Sequence, residues 1–270
     1  MGHYLSEKVV KTASPSQMHV DVYGSRAAIL TGFFKGTYTR KFAVTVAHLV
    51  NKIGDGLYAG NELLGKCCFK SNKTKIAGQT YTTDLALIAV EAKSRYARYK
   101  HTVIEIQGQR YRQKLSSDRK VHGIMPGDEV WVLDQYESWI KGKVFRHWYN
   151  NESIGLHNVM QIKTIDGKAL TAAGDSGCCV FLPPKLDSDV IEVIGMVTST
   201  SDLPDNTTCT NAVLLPIILR HYLRNLPPNL KKVGPLCEDE GLPANIEFME
   251  GFDFYSSEES ENLTVQSENS

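Results

Sequence analysis

Between residues 20 and 90 the apolar positions fall in short runs rich in Val, Ile, Thr, Phe and Tyr, broken by clusters of Gly, Asn and Lys. That is the pattern of short strands joined by turns. It predicts strands over 27–34 (AAILTGFF), 42–47 (FAVTVA), 57–59, 63–69 and 85–90 (LALIAV). A polar, basic stretch at 107–120 (QGQRYRQKLSSDRK) interrupts the pattern and reads as a connection between two units. Strand-like runs resume at 129–134 (EVWVLD), 141–148 (KGKVFRHW), 157–165 (HNVMQIKTI), 178–182 (CCVFL) and 190–198 (VIEVIGMVT), with Asp166-Gly167 placed where a tight turn would sit. Only Pro216, Ile217, Ile218, Leu219, Tyr222 and Leu223 carry a helical period, with the proline near the helix start. Beyond Pro227 the chain is acidic and rich in serine, a composition that cannot bury enough apolar surface to offset its conformational entropy. The expected organisation is an N-terminal extension (1–19), an all-β unit (20–106), a linker (107–120), a second all-β unit with a C-terminal helix (121–226) and a disordered tail (227–270).

Composition changes this picture little: 42% of residues are apolar and 22% charged, as in ordinary globular chains. Charge changes it more. The chain is formally neutral, with thirty basic and thirty acidic residues, but ten of the acids and no Lys or Arg lie in residues 236–270. The body is therefore about +10 and the tail about −10 by formal count. The basic residues of the body are scattered, so a solvated surface is expected rather than a nucleic-acid site. The tail alternates aromatic and acidic residues in IEFMEGFDFY (246–255) and is a candidate docking segment for a protein partner. No run is long enough to span a bilayer, and the first residues lack the apolar core of a secretory signal, so a cytoplasmic or nuclear protein is expected. Gly2 and Ser6 fit a loose N-myristoylation pattern. The six cysteines include two adjacent pairs and no CxxC, which points to free thiols and not to a disulfide framework or a metal site.

Three segments carry candidate chemistry. Thr45-Val46-Ala47-His48 closes one apolar strand, Asp84 precedes Leu85-Ala86-Leu87-Ile88, and Gly174-Asp175-Ser176-Gly177 precedes another strand. Acyl transfer by serine needs a hydroxyl, an imidazole to move its proton, and a carboxylate to fix the imidazole's tautomer. Glycine before the Asp-Ser pair would let the backbone amides of Gly174 and Ser176 converge on an oxyanion. No metal or organic cofactor is required. The order of these residues excludes an α/β-hydrolase elbow, which needs glycine at the position of Cys178 and a histidine well after the serine, where only His221 follows.

From about residue 20 to 225 the chain resembles the trypsin-like serine proteases. The resemblance rests on TVAHL around His48, TTDLALI around Asp84, AAGDSG at 172–177, and Leu30-Thr31-Gly32-Phe33 upstream. It implies an all-β fold of two antiparallel β-barrels packed together, with the active site between them and a short helix at the C-terminal end. It also implies a serine endopeptidase with His48, Asp84 and Ser176 as triad, acting on protein or peptide substrates. A catalytically silent binding module of the same fold and a viral polyprotein-processing protease are the alternatives.

The departures from the family pattern matter too. Leu49 and Ala172 stand where secreted members have cysteines, and no I-V-G-G activation segment occurs. Asp175 would then need another partner, such as a Lys, an Arg or backbone amides. Cys178 follows the Ser176-Gly177 pair and is expected as a small buried residue. By the same resemblance Leu170 stands at the base of the primary pocket, where it cannot select Lys or Arg, and Thr198, Ser199 and Thr200 line one wall. Thr198 would also reach Asp84.

Overall fold

The computed structural model describes residues 19–21, 27–35, 41–94, 103–106, 108–136, 138–185, 188–205 and 207–224. Gly2, Ser6 and the acidic segment 227–270 lie outside the described residues, as does nearly all of 1–19. The strands are β1 (His19–Asp21), β2 (Ala27–Ile29), β3 (Gly32–Lys35), β4 (Lys41–Val46), β5 (Gly56–Ala59), β6 (Glu62–Ile76), β7 (Gln79–Val90), β8 (Val103–Ile106) and β9 (Gln109–Leu115). After helix α1 (Asp118–His122) come β10 (Glu129–Leu133), β11 (Trp139–Asn151), β12 (Leu156–Thr164), β13 (Cys179–Phe181), β14 (Val190–Asp202), β15 (Thr208–Val213) and helix α2 (Leu215–Arg224).

The first sheet runs β2-β1-β5-β6-β7-β4-β3. Its two edge strands are consecutive in the chain, joined through Leu30 and Thr31, and the Thr31 amide donates to the Val44 carbonyl at 2.9 Å. The chain thus passes from one edge of the sheet to the other within two residues, and Thr45 Oγ1 on β4 donates to the Ile29 carbonyl on β2 at 3.2 Å. Strand β4 is buried along its whole length, and Phe42, Val44 and Val46 fill the interior with Leu30, Leu57, Leu64, Leu85 and Leu87. Each such side chain contributes about 1.5–3 kcal/mol by leaving water.

The second sheet runs β13-β10-β11-β12-β15-β14-β9-β8, and β13 also pairs with β14. Six strands therefore close into a ring, with β9 and β8 extending from β14. Their interior holds Val130, Val132, Val144, Ile162, Val180, Ile194 and Leu214. The β9–β14 ladder is parallel, unlike the others. Parallel partners need a long crossover, and here everything from α1 to β13 supplies it.

Residues 107–120, read from the sequence as a connection, hold β9 and the start of α1, and β8 at 103–106 pairs into the second sheet. Helix α2 ties the two sheets together: its Tyr222 hydroxyl bonds Ser71 Oγ at 2.6 Å, and its ring lies 4.6 Å from that of Phe69 on β6. From the same helix Arg220 pairs with Asp118 and donates to the Ser116 carbonyl at 2.6 Å. No helix among the described residues is long and apolar enough to cross a membrane.

Candidate active site

His48 sits in a single 3-10 turn, Ala47–Leu49, at the end of β4. Ala47 and Leu49 are buried on either side of it, so the backbone is held while the imidazole, 52% exposed, faces outward. The histidine meets Asp84 twice. Its amide donates to Asp84 Oδ1 at 3.0 Å, and its Nδ1 lies 2.7 Å from Oδ2. A carboxylate oxygen accepts, so in this contact Nδ1 is the donor.

Asp84 is held in an uncommon conformation. Its φ is +37°, in the left-handed region that non-glycine residues rarely adopt. The cause lies in β7, whose register with β6 shifts between the Ser71–Leu85 and Lys73–Thr82 pairs while its other edge stays paired with β4 at Val46–Leu85. Thr83, fully buried, fixes the bend by donating to the Ser71 carbonyl at 2.8 Å. Bulges of this kind re-aim a side chain, and here the carboxylate, 14% exposed, is turned onto His48.

Ser176 lies in the turn between Ala172 and β13. Gly174 and Gly177 flank it with φ of +101° and +95°. The amides of Asp175, Gly177 and Cys178 donate to the carbonyls of Ala172, Val197 and Asp175 at 3.2, 2.9 and 3.0 Å. Among the described residues no carbonyl accepts from the amides of Gly174 or Ser176. The Ser176 hydroxyl is directed at the Thr198 carbonyl, 3.4 Å away.

One residue of the first sheet joins the two halves of the site. The Ile29 amide donates to the Ser176 carbonyl at 2.8 Å, and the Ile29 carbonyl accepts from Thr45 Oγ1, three residues before His48, at 3.2 Å. Next to it, Thr31 Oγ1 donates to the Gly177 carbonyl at 2.9 Å. Contact is close enough that a Cβ on Gly177 would stand 2.0 Å from the Ile29 carbonyl oxygen.

Asp175 is 3% exposed, and it is met by amides: Gln135 N donates to Oδ1 at 3.0 Å and Ala172 N to Oδ2 at 2.7 Å. Of the partners the sequence left open, backbone amides fill the role. Cys178 is fully buried, and that burial, with Asp175 nearby, pushes its thiol well above the ordinary range, so it is unreactive. The described cysteines are all free.

Of the pocket candidates, Leu170 is buried against Gly142 in the interior of the second sheet. Thr198 is buried, and its hydroxyl donates to the Asn211 carbonyl at 3.4 Å rather than reaching Asp84. Thr200 is exposed on β14. Behind them Thr210 Oγ1 accepts from the amides of Leu170 and Thr171 at 2.9 and 3.2 Å and bonds Thr171 Oγ1 at 2.8 Å. Nothing in the sequence marked Thr171, Thr210, Ile29 or Gln135. Each acts through a partner far along the chain, and no local motif carries that information. No group of three or more His, Cys, Asp or Glu side chains among the described residues could hold a metal.

No protein-family model and no curated protein matches the chain. Solved structures do match, over three quarters of the chain. One is a glutamic acid-specific serine protease described as using a histidine triad in substrate binding, at 14% identity and a TM-score of 0.51 over 76% of this chain and 96% of that one. The Nocardiopsis protease NAPase gives 14% identity and 0.51 over 76% and 94%, and Thermobifida fusca protease A 12% and 0.51 over the same shares. The fold is that of the trypsin-like serine proteases. Within the trypsin-like fold, the described site falls where the first sheet, through Ile29 and Thr31, meets the Ser176 turn of the second.

Proposed function

We propose that the protein is a serine endopeptidase. Ser176 attacks the peptide carbonyl, His48 Nε2 takes its proton and returns it to the leaving amine, and Asp84 holds the imidazole and stabilises its cation. The amides of Gly174 and Ser176 receive the oxyanion. Water then repeats the sequence on the acyl-enzyme.

The observation that carries this reading is the His48–Asp84 pair, held by two hydrogen bonds from the histidine to a carboxylate on a backbone outlier. A purely structural histidine would not need a residue at positive φ, which costs about 1–3 kcal/mol. Supporting it, the two candidate oxyanion amides donate to no carbonyl among the described residues, while those of Asp175 and Gly177 are paired. The Ser176 hydroxyl bond to the Thr198 carbonyl is long, and the mechanism requires that it be exchanged for one to His48 when substrate is bound. Peptides or proteins are the substrates, with a primary pocket bounded by Thr198 and Thr200; Leu170 supports its base from the interior. The substrate lies between two lobes, the first sheet (β1–β7) and the second (β8–β15), and the chain works in the cytoplasm or nucleus.

Labelling by a fluorophosphonate probe tests the reading. It is expected in the wild type and lost in folded Ser176→Ala; absence of labelling from both refutes it.

A further inference from the structure

We propose that Gln135 is a positioning residue that sets the Ala173–Gly174 peptide in its oxyanion-binding orientation, an inference that rests on the reading of Ser176 as nucleophile. The peptide unit is planar and trans, so the carbonyl of Ala173 and the N–H of Gly174 point in opposite directions. Whatever holds that carbonyl on one side therefore aims that N–H to the other. Gln135 Nε2 donates to the Ala173 carbonyl at 2.9 Å. Turning the peptide over would break this bond and present a carbonyl, in place of a donor, to the developing oxyanion.

The position of the Gln135 amide is itself fixed. The residue lies in a short turn between β10 and β11 in which Asp134 Oδ1 accepts from the amides of Tyr136 and Ser138 at 2.9 and 2.8 Å. Its own amide is bound to buried Asp175, which also holds Ala172. The turn thus grips the segment Ala172–Ser176 at two points, Ala173 and Asp175, and the Asp175 carboxylate braces the segment internally through the Ala172 amide. Gly174 completes the fit, since a Cβ there would stand 2.6 Å from Gln135 Oε1 and 2.9 Å from Nε2. Glycine at 174 is required by its φ of +101° and again by the amide lying against it.

The side chain's donor can be separated from its bulk. Gln135→Met keeps the length and removes the donor; Gln135→Glu keeps the shape and replaces the donor with an acceptor. In each, the backbone amide to Asp175 remains. Second-order rates of fluorophosphonate labelling are measured for wild type and both variants, with melting temperatures as a folding control. Substrate KM and kcat are then determined on any peptide the wild type cleaves. Loss of one oxyanion donor lowers rates by roughly 10²–10³-fold, so partial loss of its orientation is expected to slow labelling and kcat by roughly 10–100-fold, with KM changed less than threefold. Gln135→Asn, tested in parallel, retains a donor one methylene short and is expected to fall between. Equal labelling rates in wild type and both variants, all folded, overturn the role of Gln135 and leave the nucleophile assignment standing. No labelling of the wild type instead removes the reading on which the inference rests.

Discussion

At the scale of single residues, the proposed mechanism rests on a carboxylate that holds a tautomer. Both Asp84 oxygens face His48, one on the ring nitrogen and one on the backbone amide. Asp84→Asn would keep the shape but offer an NH2 group to Nδ1, or a carbonyl in competition with it, and would let the proton move to Nε2. Fluorophosphonate labelling of this variant is expected to fall by roughly 10⁴-fold, with the melting temperature little changed. A fall of less than tenfold would show that Asp84 does not control the imidazole. The sequence singles out His48, Asp84 and Ser176 as candidates because each closes or opens an apolar strand in a recognisable order, and the structure brings the first two into contact. It hid Gln135 and Ile29, whose contributions come from a side-chain amide and from backbone groups that any residue type carries.

At the scale of elements, the strands were readable where apolar residues alternate or run together, and unreadable where buried positions are polar. Strand β15 (TCTNAV) buries Thr210 and Asn211, and both are held there by hydrogen bonds to the 169–171 segment and to serines of β14. In β9 the inward positions are Tyr111, Gln113 and Leu115, and the glutamine with three basic neighbours masks the alternation. Hairpin β6–β7 extends well past the predicted runs, and its tip is polar. There it reaches the second sheet, where Asn158 Nδ2 donates to the Thr80 carbonyl at 2.7 Å and His157 N to Thr82 Oγ1 at 2.8 Å.

The same contact region gives β11 a pH response. Trp148 stacks on His122 and lies against His147, with ring centroids 4.9 and 4.6 Å apart, and meets the edge of Tyr81 at 6.2 Å. Burial pulls the His147 pKa down from its ordinary value of 6.5, opposed by its bond to the Ile124 carbonyl, reinforced by His122 and opposed by Asp128. Its Nε2 is buried without a hydrogen-bond partner. Above pH 6.5 both folded and unfolded states hold it neutral, and it contributes nothing to pH dependence. As pH falls below 6.5 the unfolded chain takes up the proton first, so stability declines until the folded pKa is passed. Melting temperatures between pH 7.5 and 5 are expected to fall less steeply in His147→Gln than in the wild type; identical slopes would contradict this account.

At the scale of the whole molecule, the two sheets share a buried cluster that joins Leu30, Phe42 and Leu87 of the first to Phe181, Val193 and Met196 of the second, and the candidate site lies at one of the places where they meet. Ile29 and Thr31 of the first sheet hold the Ser176 and Gly177 carbonyls of the second, and Thr45 braces the Ile29 carbonyl behind them. Gly177→Ala combines a φ of +95° with a Cβ placed 2.0 Å from the Ile29 oxygen. It is expected to cost about 3 kcal/mol in denaturant unfolding and to abolish labelling, because the serine cannot move without parting the sheets. A loss below about 0.5 kcal/mol would show that the junction is slack. The family pattern in the sequence anticipated two β units with a site between them. It did not show that β8 and β9 belong to the second sheet or that α2 reaches back to β6, because pairing partners separated by many residues leave no periodic trace.

The central claim is that His48 activates Ser176, and the position of a covalent adduct tests it most directly. After reaction with a fluorophosphonate, intact-mass and peptide-mass spectrometry are expected to find one adduct, on Ser176, strongly diminished in His48→Ala and absent from Ser176→Ala. An adduct elsewhere, or an adduct on Ser176 that forms equally fast without His48, would contradict the account.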